Sequence, residues 1–276
     1  MNVSQADLTS WQATIGRTST RRQRLDVEPL RRFAAAIDAD LAVETSLPVM
    51  ALWAWFLDTV PSQGLGPDGH PRRGDFLPAV TLPRRMFASG ELQFDGKLLL
   101  DREAEMESRI ADVRHRRGES GDLVFVDVDR RLSQDGALKV AERQTLVYRE
   151  PGDPGALPSV AAESGLAGND TIVWKPDPVQ LFRFSAITFN AHRIHYDAAY
   201  ATSVEQYPAV VVQGPQTVAR LATLAGRRGN LAALSFRAQA PLFVDQPVRL
   251  SQTGPADFAA IRCDGVTAVV MKAVYQ

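Results

Sequence analysis

The chain has 276 residues, of which 45% are hydrophobic and 23% charged, and its formal net charge is −1 at pH 7. These values indicate a globular protein of one large or two ordinary domains and argue against a nucleic-acid binder, which usually has a basic excess. The longest apolar stretch, residues 47–60, is shorter than the roughly 20 residues of a membrane-spanning helix. The single cysteine, Cys263, and an amino terminus without a leader pattern favour a reducing cytoplasm.

The first predicted element is an amphipathic helix over residues 26–38. Asp26 is a suitable N-cap, and Pro29 suits the first turn. Apolar residues recur with helical spacing at Leu30, Phe33, Ala34 and Ile37.

An aromatic run and a loop follow this helix. Residues 47–60 contain Trp53, Trp55 and Phe56 and are interpreted as a core segment. Residues 64–75 are rich in Gly and Pro, which predicts a loop. They lack the strand, helix and Lys-Ser/Thr of a phosphate-binding loop, so we expect no nucleotide site there and a solvated His70.

From residue 90 to residue 150 the pattern is typical of β-strands, which are predicted at 98–100, 103–113, 123–132 and 139–149. Asp135-Gly136 between the last two runs is a strong hairpin signal. Residues 151–179 rise in Pro, Gly and Ala with little periodicity. They are predicted to be a linker that divides the chain into units 1–150 and 180–276.

The second unit begins with a different pattern. An extended run at 207–212 leads to a helix that starts near Pro215 and closes at Gly226. Strands are predicted after it at 233–239, 247–252, 258–262 and 266–275, with Asp264-Gly265 as the turn before the last.

The two halves echo each other. Residues 76–83 resemble 207–214, residues 94–101 resemble 240–245, and each half closes with an Asp-Gly hairpin. A helix followed by an antiparallel sheet, occurring twice, predicts a duplicated α+β fold.

Reactive side chains concentrate in residues 181–197, Leu-Phe-Arg-Phe-Ser-Ala-Ile-Thr-Phe-Asn-Ala-His-Arg-Ile-His-Tyr-Asp. Apolar anchors come first, and then Asn190, His192, Arg193, His195 and Asp197. Polar groups presented from a packed support are what a preorganised site needs. A histidine can take and return a proton near neutral pH.

This run resembles the hydratase-2, or MaoC-like, signature of hotdog-fold enoyl-thioester hydratases. The complete run of residues is similar to the corresponding segment of a narrower branch of this family, which comprises the itaconyl-CoA and mesaconyl-CoA hydratases and the 3-hydroxyacyl-thioester dehydratases. The resemblance implies a double hotdog, in which two helix-wrapped antiparallel sheets are fused so that one chain mimics a dimer. The unit 1–150 lacks the motif and is expected to be degenerate, which leaves one site, in the catalytic unit 180–276.

Hydration of an unsaturated thioester needs a base for water, a proton for the α-carbon and stabilisation of the enolate oxygen. His195 is the expected base, which takes the proton from water and returns it on the same face. Asn190 stands where the wider family has Asp, and because an amide cannot titrate, it is expected to hold the water. Gly214 matches a family glycine whose backbone N–H forms an oxyanion hole at a helix N-terminus. Asp197 either orients His195 or caps a turn, and the structural role is favoured.

Arginines are candidates for substrate binding. Arg193 could bind a substrate carboxylate, or it could equally tie the loop to a neighbouring backbone or acid. Arg84 and Arg85 are second candidates for a carboxylate or a CoA phosphate, although a basic pair on a surface is usually only solvated. His192 and His195 complete no recognisable ligand set, so no metal is expected.

The sequence therefore predicts a hydro-lyase that adds water to a small branched or dicarboxylic enoyl-CoA, such as itaconyl-CoA or mesaconyl-CoA. The alternatives are a 3-hydroxyacyl-thioester dehydratase of fatty-acid synthesis and a non-catalytic module that binds acyl thioesters. The expected partner is the acyl-CoA substrate, whose CoA is the only cofactor-like group, and no nucleic acid or membrane is expected. A homodimer is possible.

Overall fold

The computed structural model describes residues 3–43, 47–118, 121–151, 156–159 and 171–276. Within these residues the chain forms one antiparallel sheet of ten strands with five α-helices. The first half supplies α1 (Gln5–Gln12), β1 (Thr18–Arg24), α2 (Val27–Ala36), β2 (Arg84–Phe94), β3 (Glu103–Gly118), β4 (Gly121–Gln134) and β5 (Ala137–Arg149). The second half supplies β6 (Thr171–Trp174), α3 (Pro178–Ile187), α4 (Ala198–Ser203), α5 (Gly214–Gly226), β7 (Leu231–Ala238), β8 (Val248–Gln252), β9 (Asp257–Ile261) and β10 (Thr267–Tyr275).

The order of strands demonstrates the duplication. From one edge of the sheet the order is β1-β3-β4-β5-β2, and from the other edge it is β6-β8-β9-β10-β7. These are the same order, and the two halves meet where β2 pairs antiparallel with β7, for example at Ser89 opposite Arg237. The predicted duplicated α+β fold is confirmed.

Helices α2 and α3 are equivalent elements, since each follows the edge strand of its half. They pack against each other, with Phe33 and Phe184 6.1 Å apart between ring centroids. Leu30 and Leu181 are both fully buried beside them. One apolar core therefore joins the two halves, and the expected core segment is part of it, because residues 51–56 are all buried.

The halves differ in their central helix. Helix α5 packs on β7, β8, β9 and β10, with its apolar side chains directed at the sheet. In the described part of the first half, the chain between α2 and β2 forms two short 3-10 turns, Ala51–Ala54 and Ser62–Gly64, and no α-helix. The inner face of the first-half sheet is consequently less covered than that of the second half.

One of the two sequence echoes has a structural counterpart. Asp101 and Asp245 have the same left-handed backbone conformation, with φ of 59° and 61°, in the connection that follows β2 or β7. The other echo does not hold as a structural equivalence. Residue 83 leads into strand β2, whereas residue 213 leads into helix α5.

The Asp-Gly turns are confirmed. Asp135 and Gly136 both have positive φ, 51° and 74°, as the tight turn of a two-residue hairpin requires. Gly265 has a φ of 88° between β9 and β10.

Several predictions about elements were wrong. Strand 98–100 does not form, because the side chain of Gln134 hydrogen-bonds both the N–H and the C=O of Leu99. Strand β1 was missed because its sequence, Thr-Ser-Thr-Arg-Arg-Gln-Arg, has no apolar alternation. The predicted linker 151–179 is too long, since β6 and the start of α3 lie within it. Its residues 152–155 and 160–170 lie outside the described residues, and the division into units 1–150 and 180–276 stays a prediction.

No helix of the described ranges is both long enough and apolar enough to cross a membrane.

Candidate active site

The polar part of the motif, residues 190–197, lies in the turns between α3 and α4. Asp177 caps α3 by accepting a hydrogen bond from the backbone N–H of Gln180. After α3 the chain reverses at Phe189, whose φ is 50°, and passes through a 3-10 turn at Arg193–His195. Asp197 then accepts from the N–H of Tyr200 and caps α4, so the structural role favoured for it is confirmed.

His195 is held by the segment that leads into α5. Its Nδ1–H donates to the carbonyl of Val211 at 2.7 Å, and the N–H of Val211 donates to the carbonyl of Ile194. The side chain is nearly enclosed, at 8% exposure. Its other nitrogen, Nε2, hydrogen-bonds to none of the described residues. Because Nδ1 is a donor, Nε2 is the basic atom of the neutral ring.

Burial lowers the pKa of His195 to about 3, with a smaller contribution from the neighbouring His192. The hydrogen bond to Val211 opposes this shift without cancelling it. The imidazole is therefore neutral at physiological pH, the state in which it can accept a proton.

Asn190 presents a donor. Its Oδ1 accepts a hydrogen bond from the backbone N–H of His192 at 3.1 Å, which leaves the Nδ2 amide protons for another partner. The residue lies on the wall of a cavity between the two halves. A water held there would be bound through its oxygen, with its own protons free to be removed.

Gly214 is the first residue of α5, and its neighbour Pro215 lines the same cavity as Asn190. Gln213 makes no side-chain cap, so the first N–H groups of the helix are open to a ligand. A Cβ at Gly214 would meet nothing within 4 Å, which means that the space beside the residue is open.

The loop of residues 64–75 does not lie in solvent as expected. The N–H of Arg193 donates to the carbonyl of Asp68 at 2.9 Å, and Gly69 touches the motif so closely that an added Cβ would lie 1.8 Å from the carbonyl oxygen of Ala191. The expectation of a solvated His70 was wrong, because this docking places the residue on the cavity wall.

The docked loop creates a row of three imidazoles. The ring centroid of His70 is 4.0 Å from that of His192, which is 5.2 Å from that of His195. His70 Nδ1–H donates to Asp68 Oδ2 at 3.0 Å. His70 faces the cavity, while His192 and His195 lie deeper.

In the pair formed by Asp68 and His70, Asp68 is charged and His70 is neutral. Burial lowers the pKa of His70 well below its ordinary value, and the positive charge of Arg85 lowers it further against the effect of Asp68. Burial by itself would raise the pKa of Asp68, but the hydrogen bonds that His70 donates to it outweigh this effect and the pKa falls. A carboxylate therefore faces a neutral imidazole at neutral pH.

Arg84 is not a surface residue. Its side chain is buried, with Nε 3.8 Å from Glu205 Oε2 and the guanidinium 4.6 Å from the ring centroid of Tyr207. Glu205 in turn accepts a hydrogen bond from His192 Nε2 at 3.1 Å. Arg84 therefore belongs to the buried group of side chains that holds His192 in place. None of its contacts with the described residues supports the prediction that it binds substrate.

Arg85 lies on the cavity wall with Asn190 and His70. Within the described ranges no carboxylate forms an ion pair with it. A guanidinium in this position is available to an anionic group of a ligand.

Arg193 is engaged by its own neighbours. Its Nη2 and Nε donate to Asp197 Oδ2 at 2.8 and 3.1 Å, its Nη1 donates to the carbonyl of Pro67, and its guanidinium lies 4.1 Å from the ring centroid of Tyr200. Of the two roles predicted for Arg193, these contacts correspond to the second, in which the arginine ties the loop to a neighbouring backbone and an acidic side chain. The structure gives no support to a substrate carboxylate on Arg193.

The cavity has a volume of about 620 Å³ and takes its walls from both halves. The first-half strands contribute Phe87, Met106 and Leu146 from the face that no long helix covers. The walls are mainly apolar, and their polar residues include Asn190, His70 and Arg85. The site thus lies between the halves, whereas the sequence placed it in the second unit alone.

Asp68, His70 and His192 are near enough to suggest a metal site, since one donor atom of each lies within 4.8 Å of the others. The expectation that no recognisable ligand set forms concerned His192 and His195, whereas this cluster joins His192 to Asp68 and His70 of the loop. Two imidazoles that share a tetrahedral ion diverge from it, with ring centres about 5 Å apart for bonds near 2.1 Å. The stacked rings of His70 and His192 fit a hydrogen-bonded cluster better, and we assign no metal.

Sequence reasoning missed Asp68, His70 and Glu205. The only local signal was Asp68-Gly69-His70, an acid beside one of the chain's four histidines in a loop. Nothing local indicates that this loop meets residues 190–197.

One protein family and two related proteins match the sequence of this chain. The profile of a family described as hydroxyacyl-thioester dehydratase type 2 matches residues 51–244. The mesaconyl-C(4)-CoA hydratase of Chloroflexus aurantiacus is 38% identical over 275 residues, which cover 97% of each chain. A mitochondrial hydroxyacyl-thioester dehydratase type 2 of Schizosaccharomyces pombe is 35% identical over 124 residues, 42% of this chain and 41% of the relative.

Solved structures agree on the fold. A MaoC-like dehydratase from Phytophthora capsici superposes with a TM-score of 0.68 at 13% identity, covering 98% of this chain and 97% of that one. A Mycobacterium tuberculosis protein described as having a double hotdog fold has a TM-score of 0.55 at 11% identity, with 94% and 95% covered. The predicted double hotdog is confirmed.

Proposed function

Because the chain belongs to the hydroxyacyl-thioester dehydratase type 2 family, we propose that it is a hydro-lyase that adds water to a small branched or dicarboxylic enoyl-CoA. The observation that carries the substrate class is Arg85, a guanidinium without an ion-pair partner among the described residues, in the mainly apolar lining of the cavity that also contains Asn190. An apolar cavity accepts a short branched acyl group, and the arginine accepts its carboxylate.

The reaction uses three groups of the site. Asn190 Nδ2 donates a hydrogen bond to the oxygen of a water molecule, and His195 Nε2 takes a proton from that water as its oxygen attacks the β-carbon. The electrons of the double bond move to the thioester oxygen. The N–H of Gly214, with the positive end of the α5 dipole behind it, stabilises this enolate oxygen. Protonation of the α-carbon completes the addition.

Mesaconyl-CoA and itaconyl-CoA are the proposed substrates. Support comes from the mesaconyl-C(4)-CoA hydratase, which is 38% identical over nearly the whole chain. In acids of this size the carboxylate lies only a few bonds from the double bond. It therefore has to be bound close to the reacting carbons, within the cavity that Arg85 and Asn190 both line.

Arg85→Ala tests this assignment. Hydration is followed by the loss of the conjugated-thioester ultraviolet band with mesaconyl-CoA, itaconyl-CoA and crotonyl-CoA. Removing charged hydrogen bonds to the carboxylate should lower kcat/KM on the two dicarboxylic substrates by about 100-fold, with little change on crotonyl-CoA. Arg193→Ala is the matched control and should affect all three substrates alike. Equal losses on all three in Arg85→Ala would contradict the carboxylate role.

A dehydratase acting on straight-chain 3-hydroxyacyl thioesters is the second function, favoured by the description of the matching family. The same panel separates the two, because such an enzyme would prefer crotonyl-CoA and longer straight chains in the unaltered protein. No loss of the ultraviolet band with any substrate would instead indicate the non-catalytic thioester-binding module.

We further propose that the enzyme works without a cofactor other than the CoA of its substrate, in the cytoplasm, as a possible homodimer. Full activity after dialysis against a chelator checks the first statement. Light scattering coupled to size-exclusion chromatography measures the assembly.

A further inference from the structure

Hydration of an enoyl thioester involves two proton transfers, one at the oxygen that joins the β-carbon and one at the α-carbon. Where the related hydratase signature has a titrating Asp, this chain has Asn190, whose amide exchanges no proton at neutral pH. A site built on His195 and Asn190 therefore has one titrating group for two transfers.

The first half of the chain supplies another titrating group in the same cavity. His70 lies on the wall that includes Asn190, while His195 is nearly enclosed behind His192. Of the three imidazoles in this row, His70 is the one on the cavity wall.

The orientation of His70 is fixed by Asp68. One carboxylate oxygen accepts from His70 Nδ1–H at 3.0 Å, and the other accepts from the backbone N–H of His70 at 3.0 Å. With Nδ1 used as a donor, Nε2 is the basic atom, and it hydrogen-bonds to none of the residues that the structure describes. A carboxylate on Nδ1 sets the tautomer and stabilises the imidazolium that forms when Nε2 accepts a proton.

Resting on the proposed function, we propose that His70 and Asp68 are a second acid–base pair of this site. His70 exchanges the proton at the α-carbon of the thioester, while His195 exchanges the proton at the oxygen on the β-carbon. The residue comes from the half of the chain that lacks the motif, so neither half holds a complete site.

The steps balance without a further reactant. In hydration, His195 Nε2 takes a proton from water, the oxygen bonds to the β-carbon, and the double-bond electrons form the enolate. Protonated His70 then gives its Nε2 proton to the α-carbon as the enolate collapses. In dehydration neutral His70 removes the α-proton, and protonated His195 gives its proton to the departing hydroxyl. One proton taken from solvent and one returned to it reset the two rings.

Arg85 connects the proton transfer by His70 to the binding of the substrate. The positive charge of Arg85 is one cause of the lowered pKa of His70. A substrate carboxylate bound to Arg85 would offset that charge and make the protonated ring easier to form. Binding of a dicarboxylic substrate would thus prepare His70 for its transfer.

A second pair of the same type lies elsewhere and serves as the control. His115 Nε2 is 2.9 Å from Asp122 Oδ1, between strands β3 and β4, and neither residue lines the cavity. A hydrogen-bonded His and Asp is therefore not enough for the proposed role. What distinguishes His70 is its place on the wall of the cavity that also contains Asn190.

The test compares His70→Asn, Asp68→Asn and His115→Asn in the full chain. We expect His70→Asn to lower kcat for hydration by about 100-fold or more with KM within a few-fold, since general acid–base groups contribute about 10²–10⁴. Asp68→Asn should lower kcat in the same direction, and His115→Asn should leave it unchanged. Thermal melting of each variant checks the fold, and His70→Gln replaces His70→Asn if the latter does not fold.

An isotope effect separates proton transfer from positioning. In dehydration of an α-deuterated 3-hydroxyacyl-CoA, loss of His70 should make α-proton removal rate-limiting and increase the primary isotope effect on kcat. Wild-type kcat in His70→Asn, or a reduced kcat with an unchanged isotope effect, would overturn the proposal. Failure of the unaltered protein to hydrate any enoyl-CoA would instead contradict the proposed function.

Discussion

Arg84, Arg85 and Arg193 have the same side chain and three different environments. Successive residues of a strand point to opposite sides, so β2 sends Arg84 into a buried pair with Glu205 and leaves Arg85 on the cavity wall. Arg193 is held by Asp197 and Tyr200. Of the three, Arg85 alone combines a place on the cavity wall with the lack of an ion pair in the described chain, which is why the substrate proposal depends on it.

Asn190→Asp is predicted to impair the enzyme, although it creates the residue of the related signature. The carboxylate can still accept from the N–H of His192, but it has no N–H to donate to the water. It also adds a negative charge near the enolate. We expect kcat to fall by about 10-fold or more and to acquire a pH dependence, measured by the ultraviolet assay from pH 5 to pH 9.

Full activity in Asn190→Asp with an unchanged pH profile would show that the amide does not hold the water. The melting temperature provides the control, because the substitution keeps the hydrogen bond to residue 192 and should leave the fold intact.

At the scale of elements, the decisive contact is between the loop 64–75 and the motif. The chain passes Ala191 so closely at residue 69 that only a glycine fits, and the φ of Gly69, 88°, also favours glycine. This approach places Asp68 and His70 beside His192. The loop is therefore part of the active site, although it belongs to the other half of the chain.

Gly69→Ala is predicted to displace the loop, because the new Cβ would lie 1.8 Å from a carbonyl oxygen. Gly16→Ala is the matched control, since Gly16 has the same φ of 88° and a Cβ there would meet nothing within 4 Å. Both variants should lose about 1–2 kcal/mol of stability from backbone strain. Only Gly69→Ala should lose activity, by about 10-fold or more in kcat/KM, because it alone moves the acid–base groups.

Chemical denaturation and the hydration assay on the two variants check this expectation. Equal activity in Gly69→Ala and Gly16→Ala would mean that docking of the loop is not required for the reaction.

At the scale of the whole molecule, the double hotdog has become asymmetric. Helix α5 covers the strands of the second half, whereas in the described first half the eight-residue α1 packs on β3 and no helix packs on several strands as α5 does. The uncovered face of β2, β3 and β5 supplies the apolar walls of the cavity, while the second half supplies Asn190 and, next to Gly214, Pro215. Duplication provided two similar units, and the loss of symmetry made room for a ligand between them.

The buried histidines predict how stability depends on pH. In the unfolded chain a histidine binds a proton below about pH 6.5. In the folded protein the pKa of His70 is lowered and that of His195 lies at about 3, so both rings stay neutral. The unfolded state then binds more protons as the pH falls, and stability is lost below about pH 6.5, by roughly 1.4 kcal/mol per pH unit for each histidine.

Denaturant titrations at pH 7 and pH 5 measure this loss. A variant that carries both His70→Asn and His195→Asn should have a shallower dependence over this range, because two of the titrating groups are absent. An unchanged dependence in that variant would contradict the assignment of the loss to these two rings.

The sequence by itself determined the parts of this protein that depend on neighbours along the chain. The helix at Leu30 and Phe33, the helix that ends at Gly226 and the turn at Asp135-Gly136 follow from local periodicity and turn chemistry, and the duplication follows from repeated order. The motif and its resemblance gave the family. Only the tertiary structure decided that His70 and Asp68 meet His192 and that Arg85 rather than Arg193 borders the cavity. These contacts join positions more than a hundred residues apart, where no local pattern exists, and they form because the two halves share one sheet and one core.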